Sequence, residues 1–213
     1  MSRRWPGAGK SPGRSFVDHA RMHARYVDGI TIRPLRDGDT GTVATLFARL
    51  GSRSRERRFC GAKPRLGEAE LAALSRVDAE HHVLVAYVER DPRPAGIARL
   101  VSDGRSAEIA FEVADEHQGR GIGSVLAREL AADARAAGIT ELVATVCGDN
   151  AAVVSLLRRV AGSLHVTWQG GERGAGLGDL AVGGICVGSK AAGLPLGGVG
   201  GSSEPACLLS GVG

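Results

Sequence analysis

The 213-residue sequence predicts a mixed α/β (α+β) domain, in which a mostly antiparallel central sheet is flanked by helices and a glycine-rich loop joins the fourth strand to the helix after it. Three observations carry this. Residues 30–35, 82–88 and 93–101 have strand patterning and precede the alternating run 108–113, where Ile109, Phe111 and Val113 point one way and Glu108, Ala110 and Glu112 the other. Directly after that fourth strand, residues 118–124 (QGRGIGS) pass into a helical repeat of Ile122, Val125, Leu126, Leu130, Ala134 and Ala137. A further strand-to-helix unit then follows over 140–146 and 151–160.

Residues 1–28 are rich in Arg, Gly, Pro and Ser without periodicity and read as a flexible basic arm. Gly9-Lys10-Ser11 is not a phosphate loop, because Arg4 stands where its leading glycine is needed and no strand precedes it. The domain proper is expected over 29–187. Its first strand ends at Pro34, and Asp37 and Asp39 are placed to cap a helix whose Val43, Leu46, Phe47 and Leu50 share one face.

A strongly basic segment follows, Ser52-Arg53-Ser54-Arg55-Glu56-Arg57-Arg58-Phe59, which reads either as a solvated helix face or as a wall of the site. Residues 67–77 add a short helix with Leu71 and Leu74 inward. Strands 82–88 and 93–101 are joined at Asp91-Pro92, and His81 and His82 at the start of the first read as structural histidines rather than ligands. Gly138 ends the long helix and Asn150 is placed to cap the next, whose apolar face carries Val153, Leu156, Leu157 and Val160. Residues 164–168 are a sixth strand, 180–187 a weakly patterned seventh, and 188–213 a glycine-rich tail expected to be disordered.

The composition, 43% hydrophobic and 23% charged, is that of a soluble domain. A net charge of +4 with only 4% aromatic residues and no reading motif does not point to nucleic acid. No apolar run approaches a membrane span, and no apolar stretch follows the basic first residues as a signal peptide needs. The four cysteines, Cys60, Cys147, Cys186 and Cys207, lie far apart without a C-x-x-C pair. No metal site and no disulfide framework are expected, and a cytoplasmic location fits.

The glycine-rich turn places the unpaired N–H groups and positive dipole end of a helix directly after a strand, which suits a phosphate. Its spacing matches neither the dinucleotide-binding fingerprint nor a Walker A loop. It reads Gln118-x-x-Gly121-x-Gly123 instead, and in this strand-loop-helix context it resembles the GNAT superfamily of acetyl-CoA-dependent N-acetyltransferases over about residues 30–168. That resemblance implies that Gln118, Gly119, Arg120, Gly121, Gly123 and Ser124 wrap the pyrophosphate of acetyl-CoA and that the preceding strand binds the pantetheine arm through its backbone. It also implies a backbone N–H at Val113 for the thioester oxygen and a contact from Asn150.

The run Ala107-Glu108-Ile109-Ala110-Phe111 resembles the strand of bacterial protein lysine acetyltransferases that carries their general base, which nominates Glu108, with Glu112 second. The two carboxylates stand about 13 Å apart at strand rise and cannot share one proton. The resemblance implies an acetyl transfer to a primary amine, a protein lysine, by direct attack. The alternatives are a small-molecule acetyltransferase for a polyamine, amino acid or drug, and a non-catalytic acyl-CoA-binding domain. Many relatives carry a tyrosine in the later helix to protonate the leaving thiolate, and here Leu157 takes its apparent place.

Overall fold

The fold, taken from a computed structural model, is described for residues 24–147, 150–160, 163–169 and 182–188. Its elements in chain order are β1 (Arg25–Val27), β2 (Ile30–Pro34), α1 (Thr40–Ala48), α2 (Ser52–Phe59), α3 (Glu68–Leu74), β3 (His81–Val88), β4 (Gly96–Asp103), β5 (Ser106–Val113), α4 (Ile122–Ala136), β6 (Glu141–Cys147), α5 (Ala151–Val160), β7 (Ser163–Gln169) and β8 (Val182–Gly188). They build one sheet in the order β1-β2-β3-β4-β5-β6-β8-β7. Every neighbouring pair is antiparallel except β5 with β6, which is parallel. This is the mixed, mostly antiparallel sheet that the sequence predicts.

Several boundaries shift by a few residues, and two of the differences add to the sheet. Arg25–Val27 lies within the stretch read as a flexible arm, yet it pairs with β2 through a two-residue turn at Asp28 and Gly29, with φ of 50° and 78°. Positive φ at both positions is the type I′ geometry whose twist matches a tight hairpin, and Asp-Gly is its usual sequence. The weak strand expected over 180–187 is β8, Val182–Gly188; it pairs with β6 on one side and β7 on the other, and it extends one residue into the expected tail. The rest of the expected arm and tail, 1–23 and 189–213, lies outside the described residues.

Two apolar clusters sandwich the sheet. One gathers Ile32, Leu84, Leu100 and Ile109 with Ile122, Leu126 and Leu130 of α4 and Leu157 of α5. The other gathers Val83, Val85 and Ile97 with Val43 and Leu46 of α1 and Leu74 of α3. Along β5 the alternation read from the sequence is kept: Ile109 is buried toward α4, while the Glu112 side chain turns to the opposite face and meets Arg58 of α2 and Arg99 of β4.

α4 approaches β4 closely at Gly96. A Cβ there would stand 3.0 Å from the Glu112 carbonyl, 3.0 Å from Leu126 Cδ1 and 3.2 Å from Ile122 Cγ2, so glycine is what lets the start of α4 lie against the strand. Asp39 caps α1 by accepting from the Thr42 N–H at 3.0 Å. Asp37, the other capping candidate, accepts instead from the Val77 N–H at 2.8 Å.

His82 is buried and its Nε2 lies 2.9 Å from Asp133 Oδ2, while His81 Nδ1 pairs with Asp78, so both histidines are structural as expected. Cys60, at the left-handed C-terminus of α2, is disulfide-bonded, which corrects the expectation of a chain without disulfides at that residue. Distance along the chain says nothing about which cysteines meet in space.

Candidate active site

β5 and β6 are paired only at Ser106–Glu108 with Glu141–Val143. Beyond Glu108 they part: β6 stays with β8 to its end, and β5 stays with β4. The Ala114 N–H donates to the Ala95 carbonyl on the β4 side at 2.9 Å. Because successive peptide groups of a strand point to opposite sides, the backbone groups of Ile109, Phe111 and Val113 face the gap toward β6. The strand thus presents an open edge to a cavity of about 500 Å³, walled by β5, β6, α2, the start of α4 and one face of α5.

At one end of this edge lies the glycine loop. A 3-10 turn at Asp115–His117 leads to Gln118, and Gly121, at φ 82°, occupies the N-cap position of α4. An L side chain is strained at that φ, whereas glycine adopts it freely. The first turn of α4 holds no acidic residue, so the positive end of a 15-residue helix faces the cavity uncompensated. The Gln118 side-chain amide nitrogen lies 3.1 Å from each of three oxygens, the Val113 carbonyl, Ser54 Oγ and Asp115 Oδ1, which share its two N–H donors, and so braces the loop against the strand and α2.

Of the residues expected at the site, Val113, Gln118, Gly119, Gly121, Gly123, Ser124 and Asn150 line the cavity. Asn150 Oδ1 also accepts from the Val153 N–H at 3.4 Å, as a cap of α5 does. Arg120 does not line the cavity; its guanidinium turns to His117 Nδ1 at 2.9 Å. Glu108 stands beyond the lining residues at the closed end, where the two strands begin to part, and accepts a hydrogen bond from Thr145, which does line the cavity.

The two candidate bases sit in opposite environments. Glu108 is half-buried, and burial pushes its carboxyl above the usual glutamate range against the nearby charge of Arg58 and the Thr145 hydrogen bond. Glu112 is buried too, which by itself would raise its carboxyl. The charges and hydrogen bonds of Arg58 and Arg99 prevail and hold it below the usual range. Its Oε1 accepts from Arg58 Nε at 2.9 Å and from Arg99 Nη1 at 3.2 Å. Arg99 in turn is pushed down to about 10, by burial first. A carboxylate held by two guanidinium groups is a poor proton acceptor, so Glu112 is an anchor of the wall.

Sequence reading left Arg99 without a role and gave Arg58 only as one residue of a segment that was either a solvated helix face or a wall of the acceptor site; Arg58 lines the cavity, as the second of these readings expects. Arg99 carried a signal, a charge at an inward position of an apolar strand, and Arg58 another, since Ser54 and Arg58 lie one helical turn apart on one face. Leu157, expected in the place of an acid, is fully buried in the α4 cluster, and the residues of α5 that face the cavity include Ser155, Leu156 and Arg159. The chain's two tyrosines, Tyr26 and Tyr87, do not line the cavity. Among the described residues no group of His, Cys, Asp and Glu could hold a metal ion, and no helix is long and apolar enough to cross a membrane.

An open strand edge, a helix N-terminus without acids and a long cleft between them suit an extended ligand with amides along its length and phosphates at one end. Residues 51–162 match the model of the acetyltransferase (GNAT) family. Acetyltransferase Pat of Mycolicibacterium smegmatis is 30% identical over 158 residues, covering 72% of this chain; the chain spans only 46% of that relative's length. The GNAT domain of S. lividans PAT shares the fold with a TM-score of 0.59 and 24% identity, over 72% of this chain and 89% of that one. Spermidine N-acetyltransferase from Vibrio cholerae, solved with CoA and spermine, shares it with a TM-score of 0.59 and 19% identity, over 76% of this chain and 96% of that one.

Proposed function

The chain belongs to the GNAT acetyltransferase family, and from that membership we propose that it moves the acetyl group of acetyl-CoA to the side-chain amine of a protein lysine, with Glu108 as general base. One observation carries the reading: a single strand runs from an open backbone edge beside the N-terminus of α4 to a half-buried glutamate at the point where its neighbour parts from it.

The residues divide the work by position. The N–H groups at the start of α4, with Gly119, Gly121, Gly123 and Ser124, hold the phosphates, and the outward backbone groups of Ile109 and Phe111 pair with the amides of the arm. Acetyl-CoA supplies the acetyl group as a thioester. A lysine with a pKa of about 10.4 is about 3.4 units from neutrality at pH 7, so its deprotonation costs about 4.6 kcal/mol.

Glu108 takes the proton that the amine must lose, directly or through one water, and its raised carboxyl makes it a stronger acceptor than an exposed glutamate. The Val113 N–H meets the negative charge that grows on the thioester oxygen as nitrogen attacks. The C–N bond forms as the C–S bond breaks. A thiol with a pKa of about 8.5 then leaves as the thiolate, which solvent protonates, so no tyrosine is required.

The test is thiol release from acetyl-CoA by the purified chain over lysine peptides, free amino acids and spermidine. Acetylation of the peptide lysines with the highest kcat/KM is the expected result. Turnover of spermidine or amino acids alone would move the acceptor to small molecules. Tight acetyl-CoA binding without turnover of any amine would make the chain a binding module.

A further inference from the structure

The glycine loop carries one side chain between two residues of positive φ: Arg120, with Gly119 at 73° and Gly121 at 82°. Glycine backbone has the most freedom to lose, so a loop of this kind is held in shape through the side chain it does have. That side chain is tied to His117. Arg120 Nη1 lies 2.9 Å from His117 Nδ1, and the imidazole, 7% exposed, forms part of the cavity wall.

Guanidinium groups stand at both ring nitrogens, and a neutral imidazole has one lone pair to offer. Arg49 Nη2 is 3.0 Å from Nε2, but that guanidinium is already engaged, with Asp91 Oδ2 at 2.7 Å, the Pro94 carbonyl at 2.7 Å and Glu116 Oε1 at 2.8 Å. Asp91 Oδ2 also faces Nε2, at 3.5 Å. Hydrogen bonds from Arg93 first, then from Arg49 and His117, hold the Asp91 carboxyl well below the usual carboxylate range. An anion therefore stands on the Nε2 side and draws the ring proton there, which leaves the Nδ1 lone pair for Arg120. The contacts run from the β3–β4 turn through the 3-10 turn after β5 to the loop.

We propose that His117 is a positioning residue of the cofactor loop: Asp91 fixes its tautomer, its Nδ1 holds Arg120, and Arg120 serves cofactor binding through this tie and not by contact with a phosphate. The inference rests on the acetyl-CoA reading of the cavity and adds two residues that shape the loop from behind. A loop ordered before the cofactor arrives spares the binding step that ordering cost. The tie therefore acts on affinity, while Glu108 stands at the other end of β5 and is untouched by it.

Asn and Gln separate the two ring nitrogens, since the Asn side-chain oxygen reaches the place of Nδ1 and the Gln amide that of Nε2. In calorimetry His117→Asn should bind CoA within about twofold of the parent, and His117→Gln at least about fivefold more weakly, the size of one lost hydrogen bond to a charged group. For His117→Gln the KM for acetyl-CoA should rise by the same factor with kcat kept. Arg120→Met, at an exposed position, should weaken CoA binding alike on its own and add little to His117→Gln. Nitrogen NMR of the parent in alkaline buffer should show the His117 proton on Nε2.

A proton on Nδ1 overturns the inference whether or not the variants fold. So does a His117→Gln that binds as the parent while His117→Asn does not. An Arg120→Met loss as large in the His117→Gln background as in the parent overturns it too, and places Arg120 on a phosphate. CoA binding by the parent without turnover of any amine removes acetyl transfer and leaves this inference standing; absence of CoA binding by the parent removes the cofactor reading and the inference with it.

Discussion

Arg58 Nε donates to Glu112 Oε1 at 2.9 Å, a contact between α2 and β5 in which the carboxylate side chain is 3% exposed and the arginine side chain 11%. With Arg99 as the second donor, two cations share one buried anion. Removing the anion leaves both guanidinium groups uncompensated. Glu112→Gln should therefore lose about 3–5 kcal/mol in urea unfolding, the range for breaking one side of a buried pair.

The same carboxyl gives a pH signature. Its pKa is depressed in the folded chain, so its stabilisation is present above the ordinary glutamate range, near pH 4.3, and is lost as pH falls through the folded value. The parent should lose stability over that acid window, and Glu112→Gln should show a flatter profile there. Equal stability of parent and variant at pH 7 would mean that the pair does not hold α2 on the sheet.

Gly96 supplies a second stability test. A methyl group there meets the ends of two flexible side chains, Leu126 and Ile122, and also the Glu112 carbonyl of the neighbouring strand, which cannot give way without moving β5. Gly96→Ala should cost about 1–3 kcal/mol as an overpacking change, read from the urea midpoint at constant slope. Because Ile122 opens α4, CoA affinity should fall with it. A variant as stable as the parent would show that the helix and strand separate more freely than this packing implies.

Most of the fold was legible because its signals are local. The alternation of Glu108 to Val113 and the glycines before Ile122 mark a strand, a loop and a helix with no knowledge of neighbours. The parting of β5 from β6 was not legible from residues alone, since nothing in the stretch from Ile109 to Val113 says that its second neighbour turns away. The choice between Glu108 and Glu112 was equally closed to periodicity. Both face the same way, and only the arrival of Arg58 from α2 and Arg99 from β4, 54 and 13 residues away in the chain, separates their environments. Leu157 shows the reverse error: it lies on the apolar face of α5 as expected, but it is buried against α4, and the residues turned to the cavity are its neighbours.

The phosphate end is tested at Gly123. Its φ is not positive, and a Cβ would meet Val113 Cγ2 at 3.7 Å and Leu156 at 3.8 Å, ordinary contacts that need no rearrangement. An acid in the first turn of a helix is favourable to the helix itself. Gly123→Asp should therefore leave the melting temperature nearly unchanged while placing a negative charge at the anion site, and CoA affinity by calorimetry should fall at least tenfold. Gly121→Asp is the less clean variant, since φ of 82° adds backbone strain of about 1 kcal/mol or more. If Gly123→Asp bound CoA as the parent does, the phosphates would lie elsewhere.

The base is tested at Glu108. Glu108→Gln keeps the side chain's size and can still meet the Thr145 hydroxyl, so folding and CoA affinity should be close to the parent's, while turnover should fall by about 10² to 10⁴. Burial raises the Glu108 carboxyl, so in the parent the acid limb of kcat/KM should lie above the 4.3 or so of a free glutamate, with activity lost as pH falls through it. The variant should lack that limb, and its residual rate should climb with pH because the acceptor amine then loses its proton unaided. Thr145→Val removes a hydrogen bond that favours the charged carboxylate, and it should move the limb further up. A limb unmoved by Thr145→Val and still present in Glu108→Gln would assign it to another group and leave Glu108 as a structural residue of the strand.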